Sequence, residues 1–319
     1  MQSSRHFFLL VFVFAACFAM AQAPSVSPQP AASASGAANS DPTYQALRRV
    51  GLKGEGITVK DLQLKRDAGT FLFRSGTFCF AAPVNGKVTG AVFNGEGRFN
   101  LEPPIELEKK TLKILTKSNE PLSEEFSQLA LRFTDDTYQE VKKASVSGSA
   151  GGAGCSGGLD EINNVYRHDF HYNIAARLLQ DVLAPQPVRG GYFGALIKGK
   201  HYSGKEMYLI DPYGVIMEAG GVDFHITVHR VSVAPEEVAF VTFEGNKSGT
   251  WTAFHFSEEY KNGTASGSQR SWPIHIEKQN LKTRIEKTTK LDGDAETTFV
   301  STYNDLRVVP FDLLSTLRV

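Results

Sequence analysis

The stretch Val50–Pro104 decides the fold class; it reads VGLKGEGITVKDLQLKRDAGTFLFRSGTFCFAAPVNGKVTGAVFNGEGRFNLEPP. Apolar and polar residues alternate there in short segments that glycines interrupt, which is typical of antiparallel strands. Asn85-Gly86 lies between two such segments, and because both residues tolerate a positive φ the pair predicts a tight hairpin turn. The stretch therefore predicts a mainly β protein.

The same alternation returns in the second half of the chain, after a glycine-rich segment at Ser145–Gly158. Between Leu159 and Leu183 the apolar residues instead recur at helical spacing, and Pro185 follows, so this segment predicts one long amphipathic helix. The predicted fold class is mainly β, with two antiparallel, sandwich-like β modules joined by the glycine-rich linker and that helix. The predicted domains are an N-terminal β module at 41–143, a Gly/Ser-rich linker at 144–158, and the helix plus a second β module at 159–319.

Four local expectations are specific enough to be checked against a structure. Leu122–Gln128 is predicted to form one or two helical turns, and Thr137–Lys142 is predicted as a strand that pairs with Leu129–Thr134. Asp211-Pro212-Tyr213-Gly214 has Pro and Gly where a type I turn favours them. In Leu281–Lys287 apolar residues alternate with charged and polar ones, which predicts that one face of this strand is solvated.

The amino terminus has the pattern of an export signal over residues 1–21. A basic start precedes Phe7–Ala16, an apolar run that is too short to span a bilayer, and Ala19-Met20-Ala21 offers small residues for cleavage. Lipid attachment at Cys17 stays open as an alternative. Gln22–Ser40 carries no charge and no periodicity, which predicts a disordered tether. The mature protein is therefore expected in the periplasm or outside the cell, with no transmembrane segment after cleavage.

Composition limits the partners and the redox chemistry. The 34 basic and 34 acidic residues balance, whereas nucleic-acid binding normally needs a basic excess. Once Cys17 leaves with the signal, Cys79 and Cys155 remain. Cys79 lies in a predicted strand and is most simply a small buried side chain, but an oxidising compartment would also permit a bridge between the two cysteines.

The stretch Val50–Pro104 and the segment Phe299–Val319 resemble the leader of secreted bacterial zinc aminopeptidases of the alanyl, or gluzincin, type. The resemblance covers most of Asp41–Lys143 and Ala175–Val319. It implies a non-catalytic β-rich region that packs against a peptidase domain absent from this chain, and a chain truncated before that domain. The alternative is a stand-alone envelope module that binds peptides or proteins or acts as a scaffold. Self-association through the carboxyl-terminal edge is a further expectation.

The family's zinc chemistry needs an H-E-x-x-H helix, and the sequence contains none. His168 and His171 are three residues apart, but no Glu follows the first of them. Gly214–Glu218 is an imperfect copy of the family's Gly-x-Met-Glu-Asn segment. The tract around Ser156 fits G-x-S-x-G and also G-x-G-x-x-G, but no buried strand precedes it.

Other histidines and aromatic residues favour a structural role. His225 and His229 would lie ~13 Å apart on one strand, too far to share a metal, although His255 or His275 from a neighbouring strand could join one of them. The aromatic residues of the strands predict a sheet core rather than a carbohydrate platform; they are Phe71, Phe73, Phe78, Phe80, Trp251, Phe254, Phe256 and Trp272. We therefore assign no residue to a catalytic, cofactor-binding or metal site and expect no cofactor.

Overall fold

The computed structural model describes residues 41–145, 158–170, 172–202, 204–215, 218–219, 231–232, 236–243, 248–265, 273–286 and 290–309. The strands are β1 Leu52–Arg66, β2 Gly69–Ala81, β3 Gly90–Leu101, β4 Leu122–Phe133, β5 Phe193–Gly199, β6 Glu206–Val215, β7 Glu218–Ala219, β8 Val231–Ser232, β9 Glu236–Thr242, β10 Gly249–Phe254, β11 Ile274–Glu286 and β12 Lys290–Ser301. The α-helices are α1 Pro42–Arg48, α2 Glu106–Thr116, α3 Thr137–Lys143, α4 Asp160–Asn164, α5 Ile174–Leu183 and α6 Ser257–Asn262. The predicted signal peptide, the tether and most of the linker lie outside the described residues.

Eight strands form one antiparallel sheet in the order β1-β2-β3-β4-β5-β6-β9-β10. β11 and β12 form a separate two-stranded sheet, and β7 pairs with β8. The predicted fold class, mainly β with antiparallel sheets, is confirmed. The large sheet runs through both predicted modules, since β4 from the first pairs with β5 from the second, with Leu129 opposite Ile197. The chain thus crosses the glycine-rich segment without interrupting the sheet.

Buried side chains lie on both faces of the large sheet. One core is rich in phenylalanine, with Phe73 and Phe93 in edge contact at 4.7 Å between ring centroids. The other core packs the sheet against α1, α4 and α5. The predicted core aromatics are confirmed for the residues that are buried, namely Phe71, Phe73, Phe78, Phe80, Trp251 and Phe254. Phe256 packs against the core while partly exposed, and Trp272 lies outside the described residues.

The two turns predicted from the sequence have different outcomes. Asn85 and Gly86 have φ angles of 48° and 76°, and Val84 bridges Lys87, so the predicted tight turn is confirmed. The predicted turn at Asp211-Pro212-Tyr213-Gly214 is wrong, because these residues lie within β6. The register against β9 shifts between Ile210 and Val215, so the segment forms an irregularity inside a strand.

One segment predicted as helix is a strand, and one segment predicted as strand is a helix. Leu122–Gln128 is the start of strand β4, where Leu122, Glu124 and Phe126 alternate as buried residues. Thr137–Lys142 is helical and belongs to α3, in which Thr137 and Val141 form a buried i, i+4 pair. The helix α2 was not predicted.

The predicted long helix Leu159–Leu183 is interrupted. α4 continues into a π-helical turn at Val165–Asp169, and α5 begins anew at Ile174. The side chain of Asn173 accepts a hydrogen bond from the backbone N–H of Ala176 at 3.2 Å, which caps the new helix. No described helix is both long and apolar enough to cross a membrane.

Cys79 is fully buried in β2, as its strand position predicts. It is also disulfide-bonded. The partner sulfur lies outside the described residues, so the pairing with Cys155 stays a prediction.

Candidate functional site

Three ionisable side chains meet where β9, the end of β10 and α6 come together. The Nδ1 atom of His255 lies 2.9 Å from Oε2 of Glu237 and 3.9 Å from Oε2 of Glu259. One ligand atom from each of the three residues lies within 4.8 Å of the others. We call these three residues the His255 cluster. Its two carboxylates are buried, and its imidazole is largely buried.

The sheet register places the first two members of the cluster together. Val238 pairs with Phe254 in the β9–β10 ladder, so Glu237 and His255 are the next residues along the two strands. Glu259 comes from the first turn of α6, four residues after His255, and its side chain reaches back to the imidazole. A strand pair and a short helix therefore each supply part of the cluster.

The position of α6 is fixed by a distant turn. Asp67, between β1 and β2, accepts hydrogen bonds from the backbone N–H and the hydroxyl of Ser257, at 2.9 and 2.7 Å. Arg189 donates to Oε1 of Glu259 at 2.6 Å, and its guanidinium lies over the ring of Phe256. Because Oε1 of Glu259 accepts the hydrogen bond from Arg189, Oε2 is the oxygen that is directed toward His255.

The surroundings of the cluster are acidic. Glu236 precedes Glu237 and is half-buried; its burial raises its pKa to about 7, with the Glu108 and Glu237 carboxylates adding to the rise against the effect of His255. Glu108 on α2 accepts a hydrogen bond from the hydroxyl of Thr252. Carboxylates from β9 and α2 thus lie around the imidazole, with the guanidinium of Arg189 as a neighbouring positive charge.

A second polar network is buried between α5 and the sheet. The guanidinium of Arg177 contacts both carboxylate oxygens of Asp211, at 2.9 and 3.0 Å, and Oδ1 of Asp181 at 2.9 Å. Burial opposes the charge on Arg177, but the two carboxylates raise its pKa above the ordinary value. Three tyrosines complete the network: Tyr166 and Tyr192 are buried and Tyr172 is partly buried. Desolvation raises the pKa of each hydroxyl. Every charged member is enclosed by protein, so this network has the geometry of a structural core.

A third group lies where β5 ends and where β4 and β6 begin. Glu124 is buried and accepts hydrogen bonds from the backbone N–H groups of Lys200 and His201. The side chain of Glu206 accepts from the backbone N–H of Gly204 at 3.1 Å. Glu124 therefore holds the chain reversal between β5 and β6 through backbone donors, as a structural carboxylate does.

The β11–β12 hairpin, residues Ile274–Ser301, has two different faces; we call it the ribbon. Cross-strand pairs on one face are polar, with Asn280 donating to Glu296 at 3.1 Å and Arg284 lying 3.5 Å from Asp292. The opposite face carries the apolar side chains, and they are exposed: Ile276 by 51%, Leu281 by 65% and Ile285 by 72%. Among the described elements, no helix or other strand packs extensively on the ribbon.

The solvated face predicted for Leu281–Lys287 is confirmed over the described residues, while the apolar face of the same strand is exposed as well. Ile276 lies opposite Phe299 and Leu281 opposite Ala295. The ribbon is thus an amphipathic two-stranded element whose apolar face is exposed rather than buried in a core.

Few of the sequence-based candidates lie within the described residues. His168 lies in the π-helical turn, and His275 is exposed on β11. Several candidates lie outside the described residues; they are His171, His225, His229, the tract around Ser156, and Ile216 and Met217 within Gly214–Glu218. The sequence-based prediction paired His255 only with His225 or His229, so the His255 cluster was missed. The local signal that could have found it is His255 and Glu259 at i, i+4 spacing.

No protein-family model, curated protein or solved structure matches this chain. The resemblance to zinc-aminopeptidase leaders therefore stays a prediction.

Proposed function

We propose that this chain is an exported, non-catalytic β protein that docks a gluzincin peptidase domain through the apolar face of the ribbon. The observation that carries the proposal is the exposure of Ile276, Leu281 and Ile285 on one face of a two-stranded element. The partner class comes from the resemblance of Val50–Pro104 and Phe299–Val319 to the leaders of such peptidases.

Energetics favour a covered ribbon. An isolated two-stranded hairpin is marginally stable in water, because a single pair of strands buries little apolar surface. Fully burying one large aliphatic side chain contributes ~1.5–3 kcal/mol, so covering three that are at least half exposed would contribute a few kcal/mol. A partner surface that covers this face would therefore stabilise the ribbon and the complex together.

The outer edge of the large sheet is poorly suited to binding a peptide strand. β1 carries Lys53, Lys60 and Lys65 along its length, and Asp61 has a φ of 52° that disturbs the regular strand. Charged side chains and local irregularities protect sheet edges against pairing with another chain. Side-chain docking on the ribbon is therefore favoured over strand addition, and with it the leader role over a peptide-binding module.

The test uses the mature chain, residues 22–319, and a separately purified gluzincin catalytic domain encoded in the same genome. Sedimentation should show a one-to-one complex, and the double variant Leu281→Lys/Ile285→Lys should abolish it. The matched control is Lys282→Ser/Arg284→Ser on the polar face, which should leave the complex intact. Circular dichroism checks that both variants stay folded.

Three results would contradict the proposal. These are the absence of any complex, equal loss of binding in both double variants, and association of the chain only with itself. The chain alone should also hydrolyse no aminoacyl-arylamide substrate, since the reaction requires the catalytic domain. Hydrolysis by the purified chain would overturn its non-catalytic role.

A further inference from the structure

We infer that the His255 cluster is a binding site for a divalent transition-metal cation of the Zn²⁺ class, with Glu237, His255 and Glu259 as its ligands. This site is separate from the ribbon and independent of the proposed docking function. It would fasten α6 to the strands β9 and β10.

The spacing of the donor atoms fits such an ion. In tetrahedral zinc sites the metal–nitrogen and metal–oxygen distances are ~2.0–2.2 Å, which places neighbouring ligand atoms ~3.3–3.6 Å apart. The distances from Nδ1 of His255 to the two carboxylates, 2.9 and 3.9 Å, fall on either side of that separation. Small side-chain rotations would bring all three atoms to bonding distance, because Glu237 and His255 already lie side by side on paired strands.

The chemistry of the donor set selects the kind of ion. One imidazole nitrogen with two carboxylate oxygens suits Zn²⁺ or a neighbouring transition metal better than Mg²⁺ or Ca²⁺, which favour sets made of oxygen alone. Three protein ligands leave a fourth position for water. Because the cluster is mostly buried, its two carboxylates have lost most of their contact with water. Direct contact with a bound cation would compensate for that loss.

Outer contacts hold the ligands in place, as they do in metal sites generally. Arg189 donates to Oε1 of Glu259 and so leaves Oε2 directed at His255. The backbone N–H of His255 lies 3.2 Å from the hydroxyl oxygen of Tyr260, which restrains the residue that carries the imidazole.

The experiment is a calorimetric titration of the chelator-treated mature chain with ZnCl₂. We expect one Zn²⁺ per chain and a rise in melting temperature on binding. His255→Ala and Glu259→Gln should each weaken the affinity more than ~100-fold, the upper range for loss of a mere outer-shell partner. Titration with Co²⁺ should give the visible absorption bands of a tetrahedral site, which a purely structural role of these residues would not produce.

The matched control is His275→Ala, which removes an exposed histidine from β11 and should change neither affinity nor stoichiometry. Glu259→Gln keeps the proposal testable if His255→Ala fails to fold, because it preserves the shape of the side chain. The inference is overturned if the wild-type chain binds no Zn²⁺ at micromolar concentration. It is equally overturned if both cluster variants bind Zn²⁺ as the wild type does, which would place the metal elsewhere.

Discussion

Replacing Arg177 by Met tests how much of the stability of this fold depends on one buried cation. Arg177 and Asp211 have side chains only 6% and 3% exposed, and Asp181 is fully buried beside them. The substitution keeps most of the aliphatic volume but leaves two neighbouring carboxylates without their shared guanidinium. Removing one partner from a buried ion pair costs ~3–5 kcal/mol, because the remaining charge stays desolvated.

The matched comparison is Lys198→Met, which removes a cation at almost the same distance from its partner. Lys198 lies 2.8 Å from Glu161, but the two side chains are 44% and 42% exposed. Water screens such a pair, so its loss should cost ~0–1 kcal/mol. The pair of variants therefore separates the effect of burial from the effect of distance.

Urea unfolding at pH 7, followed by circular dichroism, gives both free energies of unfolding. A pH series adds a second criterion for Arg177→Met. Burial already raises the pKa of Asp211 against the opposing effect of Arg177, and losing Arg177 raises it further. A carboxyl group with a raised folded pKa binds its proton more tightly when folded, so the variant should gain stability as the pH falls from 7 toward the unfolded value of ~3.9. Equal losses in the two variants, or further loss for Arg177→Met on mild acidification, would refute this reasoning.

Two further predictions concern ionisation and redox state. Because burial raises the pKa of Tyr166, Tyr172 and Tyr192, these groups should stay neutral until the chain unfolds, and stability should fall as the pH rises above ~10; tyrosinate absorbance that is complete while circular dichroism stays native would contradict this. Since Cys79 is disulfide-bonded and export would remove Cys17, non-reducing peptide mapping should find Cys79 joined to Cys155. Closing a loop of about 76 residues stabilises the fold by ~4.5 kcal/mol in the chain-entropy model, so reduction should lower the melting temperature. A free Cys155 thiol in the oxidised protein would refute the pairing.

Local signals in the sequence predicted the elements whose conformation depends on a few neighbouring residues. The Asn85-Gly86 turn is such a case, because positive φ angles at two adjacent residues suffice to reverse the chain. The start of β4 shows the opposite. Leu122 and Phe126 are four residues apart, as on a helix face, and the intervening Glu124 reads as a solvent residue although it is fully buried. A buried carboxylate thus concealed the alternation that marks a strand.

The His255 cluster was hard to predict for a different reason, because its members come from different elements. Glu237 and His255 are adjacent only through the register of β9 and β10, and a register is a tertiary property. Glu259 has a local relation to His255, but His255 lies just after the end of β10 whereas Glu259 lies in the first turn of α6. Sequence spacing alone does not fix the direction of side chains across such a junction.

The two edges of the large sheet explain why the ribbon is the surface from which association is expected. β1 is protected by its lysines, and β10 is in contact with α2, where the hydroxyl of Thr252 donates to Glu108. β12 pairs with β11 from Lys290 to Ser301, so the backbone groups of β12 that face β11 already have hydrogen-bond partners. Backbone pairing is therefore disfavoured at the lysine-rich edge of β1 and already satisfied between β11 and β12. The exposed apolar side chains of the ribbon would bind by burial of surface, which suits a complementary folded partner better than an extended peptide.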